Sequence, residues 1–232
     1  MRKTLNLVIL GPQGSGKGTQ AGLLAKKFEL EHIETGDMLR ELAREPTPLG
    51  KRVDRIINKQ GKLVPTKLFI DLIKLRIRSL TRNQGIVFDG SPRQLVEAKI
   101  LDELLVKLNR EIGKVFLLDI SEIESVERLS KRRVCLKCDT NFAIGLNITK
   151  NQTRCPKCGG ELYQRKDDTR KGILARLKEY RKKTLPVANY YCRECKLIII
   201  NGEQSIRKVH QDIVDELKER NEFNEIGNIV SL

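Results

Sequence analysis

Residues 5–20, LNLVILGPQGSGKGTQ, decide the fold. An apolar run of strand length opens directly into a glycine-rich loop, and a helical pattern follows. Gly11-x-x-x-x-Gly16-Lys17 fits the opening positions of the phosphate-binding loop pattern in that strand–loop–helix setting. The glycines let backbone N–H groups turn inward around phosphate oxygens. The helix adds the positive end of its dipole, and Lys17 can reach the β- and γ-phosphates. An ordinary glycine-rich turn fits this setting poorly. One departure matters: the pattern's Ser/Thr, a usual Mg²⁺ ligand, is Gly18 here, with Thr19 next. That argues against a typical GTPase or motor ATPase and leaves magnesium mainly on water and phosphate oxygens.

Working outward, four further β-rich runs follow at 32–35, 85–89, 114–120 and Leu197–Asn201, with helical patterns between them. With residues 5–10 they predict an α/β fold, a five-stranded parallel sheet with helices on both faces. Ligands then bind at the carboxyl ends of the strands. The glycine loop, TGDMLR (35–40) and FDGSPR (88–93) all sit at such ends. Two segments read as inserts. Residues 36–70 form a charged helical excursion carrying GKLVP (61–65), and residues 133–168 carry two CxxC pairs. The expected division is a core of 1–35, 71–132 and 169–220, with the two inserts and a polar tail at 221–232. The last helix shows Ile206, Val209, Ile213 and Leu217 on one face, and the chain after it is expected to fray.

A chain of 232 residues with net charge +15 and no tryptophan builds its core from Leu, Ile and Val. The charge fits either a solvated basic surface or a polyanionic ligand, nucleotide or nucleic acid. No apolar run is long enough to span a bilayer. The start, MRKTLNLVILGPQ, has a short apolar run that enters the glycine loop, so it reads as a strand rather than a signal peptide. The expected location is cytoplasmic, with no membrane partner.

The six cysteines form three CxxC pairs. Cys135-x2-Cys138 and Cys155-x2-Cys158 are spaced as two knuckles of a four-thiolate zinc site. All four ligands are protein, so the zinc is expected to be structural, and it replaces a core in a segment too small to bury one. Cys192 and Cys195 have no second pair, and His32 and His210 show no ligand spacing. Reduced, partly buried thiols are expected at 192 and 195.

GxxGxGKGTQ, TGDMLR, GKLV, DGxPR, RRVC and GGELYQRKDD occur in this order, and together they resemble the adenylate kinase family in its long-lid, zinc-containing form. The resemblance spans 5–217. It implies a P-loop kinase fold with a helical monophosphate-binding insert and a zinc-binding lid. It also implies reversible Mg²⁺-dependent transfer of the ATP γ-phosphoryl group to a nucleoside monophosphate, with AMP favoured, giving two ADP. By this resemblance Gly14, Ser15, Gly16, Lys17, Gly18 and Thr19 hold ATP phosphates, and Asn141, Phe142 and Gln204 lie near the adenine. Arg40 and Arg93 hold the monophosphate. Thr35, Lys62, Leu63, Val64 and Gly90 line its pocket. Arg132 and Arg165 come from the lid hinges, Arg128 and Arg176 flank the same cleft, and Asp89 orients Mg²⁺ through water with Asp37 nearby. Arginine suits such work because its planar fork binds phosphate bidentately and stays charged. Lys131, Arg133 and Arg170 are expected at the surface, and Lys17 is expected to face a wet cleft when the site is empty.

Two positions depart from the family pattern. Ser91 stands where an aromatic is usual, which is expected to loosen packing beside the monophosphate. Glu97 stands where a glutamine reads the adenine edge. A carboxylate only accepts hydrogen bonds, which suits guanine's paired N–H donors better than adenine. A GMP-preferring kinase is therefore the alternative within the class. A basic zinc-ribbon nucleic-acid-binding protein and a nucleotide switch are the alternatives outside it. The ribbon has no row of aromatics for stacking bases, so nucleic acid is not expected as a partner. A monomer is expected.

Overall fold

The computed structural model describes residues 4–59 and 63–226. The elements begin with β1 (Asn6–Leu10), α1 (Lys17–Phe28), β2 (Glu31–Glu34), α2 (Thr35–Arg44), α3 (Pro48–Asp54) and α4 (Thr66–Arg78). Next come β3 (Ile86–Asp89), α5 (Leu95–Lys107), β4 (Lys114–Asp119) and α6 (Glu122–Ser130). Three short strands follow: β5 (Arg132–Cys135), β6 (Asn141–Ala143) and β7 (Leu162–Tyr163). The chain then forms α7 (Arg170–Glu179), α8 (Leu185–Arg193), β8 (Leu197–Asn201) and α9 (Ile206–Ile226). Helix α9 runs past the expected fraying point and on to Ile226.

The main sheet has the order β2-β3-β1-β4-β8, and every pairing in it is parallel. The unbroken apolar run of β1 is explained by its two buried faces. Leu7 and Ile9 point to one side, where Ala21 and Leu24 of α1 and Val209, Ile213 and Val214 of α9 cover them. Val8 and Leu10 point to the other, into a core with Ile73, Leu101, Leu105 and Tyr191 from α4, α5 and α8. Tyr190 and Tyr191 both donate to Asp102 of α5, at 2.9 and 3.2 Å, and so fix α8 against the sheet's helical layer. The order also places the β1–α1 loop where neighbouring connections leave in opposite directions, the usual ligand crevice of such sheets. Strands β6-β5-β7 make a separate antiparallel sheet within residues 132–163.

Candidate active site

The loop between β1 and α1 is an open cradle. Gly14 and Gly16 hold φ of 85° and 90°, left-handed values that glycine adopts without strain. Ser15 is 2% exposed, and its Oγ has no hydrogen-bond partner among the described residues. A buried hydroxyl left unpaired costs free energy unless a ligand supplies the partner. Gly18 answers to a different constraint. A Cβ there would stand 3.1 Å from Asp89 Oδ2, so a carboxylate arriving on β3 takes the space beside the position where the usual pattern has a hydroxyl.

Lys17 does not face open water. Its Nζ donates to Pro12 O at 2.7 Å. Part of its surface is accessible, and the ammonium is turned back onto its own loop. Burial lowers its pKa from 10.5 to about 8. Asp89 and Glu34 oppose that lowering, and Arg93 and Arg132 add to it. His32, which showed no ligand spacing in sequence, lies with Nε2 3.3 Å from Asp89 Oδ2, and its ligand atom is within 4.8 Å of those of Glu34 and Asp89. Burial alone would lower the His32 pKa, but the Asp89 carboxylate, with Glu34 and Glu31, raises it on balance.

On the other side of the cleft, Thr35 opens α2 and donates through Oγ1 to Ser91 Oγ at 2.7 Å, with both residues buried. Ser91 therefore anchors the pocket instead of loosening it. A small pocket lies here, with an apolar wall of Leu39, Ile57, Leu63, Val64 and Phe69 and a polar side of Thr35, Ser91, Arg93 and Glu97. Lys62 falls outside the described residues. Arg40 of α2 donates to Glu34 Oε1 at 3.0 Å and also meets Asp37. Arg93 Nε donates to the carbonyl of Gly90 at 2.7 Å.

Glu97 is neither a surface residue nor a free reader of base edges. It is 3% exposed and caps α5. Its Oε2 accepts from the Arg93 and Gln94 amides at 2.8 and 3.2 Å, and Oε1 accepts from Gln94 Nε2 at 2.9 Å. Both oxygens are already engaged in the cap, although Glu97 also lines the pocket beside Thr35.

Arg132 at the start of β5 and Arg176 on α7 converge on one carboxylate. Arg132 Nε and Nη2 donate to Asp168 at 2.8 and 2.7 Å, and Arg176 Nη2 donates to it at 2.7 Å. The Asp168 side chain is 0% exposed. Sequence reasoning quoted this acid within GGELYQRKDD and gave it no role. The available signal was an acid placed among arginines at a hinge, where only pairing makes its burial tolerable. Arg165 stands close enough to Arg40 and Arg132 to repel both; after burial, it is the next cause lowering the Arg40 pKa. Arg128 donates to Glu124 at 2.6 Å and to Gly14 O at 3.3 Å, beside the phosphate loop. The structure thus brings Lys17, Arg40, Arg93, Arg132, Arg165 and Arg176 around one cleft. The residues expected near the ATP base are less gathered. Asn141 is exposed, the Phe142 ring packs into the small core of the β6-β5-β7 sheet, and Gln204 is held by Asn201 O and Asp212.

The four cysteines of 133–168 meet. Cys135 and Cys158 sulfurs are 3.5 Å apart, those of Cys138 and Cys155 3.7 Å, and all four lie within 4.8 Å of one another. A tetrahedral zinc with Zn–S bonds of about 2.3 Å has sulfur–sulfur edges of about 3.8 Å. The Lys137 and Lys157 amides donate to Cys135 and Cys155 sulfurs at 3.4 Å each, which favours thiolate. The cluster fits zinc. Cys192 and Cys195, expected to be partly buried, are both exposed, at the end of α8.

A protein-family model described as adenylate kinase matches residues 9–196. The chain is 42% identical to an adenylate kinase of Methanothrix thermoacetophila over 209 residues, 90% of this chain and 96% of that one. It is 36% identical to an adenylate kinase of Alkaliphilus oremlandii over 213 residues, 92% and 98% of the two chains. With an adenylate kinase of Archaeoglobus fulgidus it shares 38% identity over 209 residues, 90% and 96%.

Proposed function

Because this chain belongs to the adenylate kinase family, we propose that its cleft seats ATP on residues 14–19 and AMP in the cavity beside Thr35, and passes the γ-phosphoryl group between them. The protein is a nucleoside monophosphate kinase, an ATP:AMP phosphotransferase whose product is ADP. Transfer of this kind needs little covalent help. It needs two polyanions held in line, their repulsion neutralised and water kept out.

In this reading the loop amides and Ser15 hold the ATP phosphates, and Lys17 follows the γ-phosphoryl group across. Arg40 and Arg93 grip the monophosphate, while Leu39, Leu63, Val64 and Phe69 hold its nucleoside. Arg132, Arg165 and Arg176 gather the charge that builds up in flight, and Asp168 aims two of them. Magnesium bound with ATP neutralises phosphate charge, and Asp89 is the residue placed to orient its water shell. Zinc held by Cys135, Cys138, Cys155 and Cys158 is structural, since no ligand position is left over for water. Residues 36–70 act as the monophosphate-binding insert and 133–168 as the lid on a core of 1–35, 71–132 and 169–220. We take the enzyme to be a cytoplasmic monomer that binds neither nucleic acid nor membrane; among the described residues no helix is long and apolar enough to cross one.

The observation that carries this reading is the ring of cations around a cradle whose buried Ser15 hydroxyl lacks a partner. The deciding experiment is turnover of ATP and Mg²⁺ with AMP, GMP, CMP and UMP in parallel. AMP should be preferred. Preference for GMP by a wide margin would overturn the AMP assignment, and turnover of none with retention of DNA or RNA at physiological salt would overturn the enzyme's substrate reading as a whole.

A further inference from the structure

On β2 and the first turns of α2, next to the cavity beside Thr35, acids meet a base. Arg40 Nη2 is shared between Glu34 Oε1, at 3.0 Å, and Asp37. Arg40 is 29% exposed and Glu34 34%. Glu34 stands at the end of β2, one residue before Thr35, with Asp89 and His32 clustered behind it. It is therefore not a solvated surface charge that happens to touch an arginine. It sits inside the cleft and uses donor capacity that a bound phosphate would need.

We propose that Glu34 is an internal phosphate surrogate that gates the monophosphate pocket by holding Arg40 until a phosphate displaces it. The proposal rests on the reading of this cavity as the monophosphate pocket. A guanidinium already paired with carboxylates is available to a ligand only in the fraction of molecules where the pair is open, and every phosphate that needs Arg40 loses affinity by that same factor. The consequence differs between ligands even though the factor does not. AMP keeps a usable affinity because the apolar wall of Leu39, Leu63, Val64 and Phe69 holds its nucleoside and delivers the phosphate locally. Inorganic phosphate has nothing else to hold it and is pushed out of its useful range. Glu34 thus keeps abundant small anions from occupying the pocket, at some loss of affinity for the true substrate.

The test is calorimetric binding of AMP and of inorganic phosphate, separately, to the wild-type protein and to Glu34→Gln. Both should bind the variant about fivefold tighter, the size of an exposed ion pair's contribution. In turnover, KM for AMP should fall by that factor, as expected when ground-state access changes. Glu34→Ala must behave the same way. In an Arg40→Gln background, Glu34→Gln should have no effect, because the gate acts through Arg40. Unchanged or weaker AMP and phosphate binding overturns the proposal. So does tighter AMP binding without tighter phosphate binding, which would place the action of Glu34 on the nucleoside. Should phosphate tighten while neither protein binds AMP, the gate stands and the assignment of the cavity to AMP fails.

Discussion

Lys17 has to serve two states. With phosphate bound its charge is matched; without phosphate it is a partly buried ammonium beside Arg93 and Arg132, and its pKa falls to about 8. Lys17→Met should therefore lower kcat by about a hundredfold or more, the scale of losing one positioned electrostatic group. It should also stabilise the empty enzyme. Between pH 8 and 10.5 the unfolded chain binds the proton that the folded chain has released, so the native state gains stability as pH rises through that window. Below it, the charged lysine costs up to about 3 kcal/mol. Urea unfolding should accordingly show the variant more stable than wild type at pH 7, with the gap closing towards pH 10. A constant gap would mean that the lysine is not titrating in the folded state. Glu97→Gln makes a contrasting case. Since both carboxylate oxygens cap α5, the substitution should cost about 0.5–1 kcal/mol, as loss of a charge at a helix N-terminus does. It should leave the AMP-to-GMP ratio of kcat/KM unchanged within about twofold. A tenfold change in that ratio would return Glu97 to the base pocket.

Elements meet at the hinge between the β6-β5-β7 sheet and α7, where Asp168 ties Arg132 of β5 to Arg176 of α7. Asp168→Asn leaves one oxygen for two guanidiniums in a buried place. We expect a loss of about 3 kcal/mol in stability, as when one partner of a buried pair is removed, and a kcat falling further than either KM rises, because the arginines lose their aim toward the transferring group. A variant with normal kcat would make Asp168 purely structural. In the small sheet itself, the core is little more than Phe142, Ile148 and Leu162 with the cysteines, so metal carries its stability. Purified protein should hold one zinc per chain. Cys155→Ala should abolish it and open residues 133–168 to limited proteolysis, while Cys192→Ser leaves zinc content unchanged. These elements also show what was legible in the sequence. The strands read correctly because β1, β3 and β4 are buried on both faces and keep unbroken apolar runs. The four thiolates read correctly because their spacing is local. The capping partners of Glu97 were not legible, because they appear only once α5 begins at Leu95. Arg110 shows the same limit: at 8% exposure it is buried, yet it binds the Thr81 and Gln84 carbonyls far from the cleft. Residue type alone does not separate such a brace from a substrate arginine, because the difference lies in contacts distant in sequence.

For the molecule as a whole, the question is what holds residues 36–59 and 133–168 together over the cleft. Arg44 of α2 meets Asp139, next to the knuckle cysteine Cys138, with contacts of 3.0 and 3.2 Å. The pair is 59% and 37% exposed, so it contributes under about 1 kcal/mol. Against it stands the mutual repulsion of Arg40, Arg132 and Arg165, which hydrogen bonds to Glu34, Asp37 and Asp168 relieve in part. A weak surface pair opposing several like charges cannot be the main fastening; polyanions that neutralise the cleft can. We therefore expect residues 36–59 and 133–168 to exchange their amide hydrogens faster in the ligand-free protein than with AMP and a non-hydrolysable ATP analogue together. Either nucleotide alone should protect only the side that it touches. Arg44→Ala should leave the joint protection in place, and a double-mutant cycle of Arg44→Ala with Asp139→Ala should give a coupling below about 1 kcal/mol. Protection that is already full without nucleotide, or a coupling of several kcal/mol, would show that the salt bridge rather than the bound phosphates brings the inserts together.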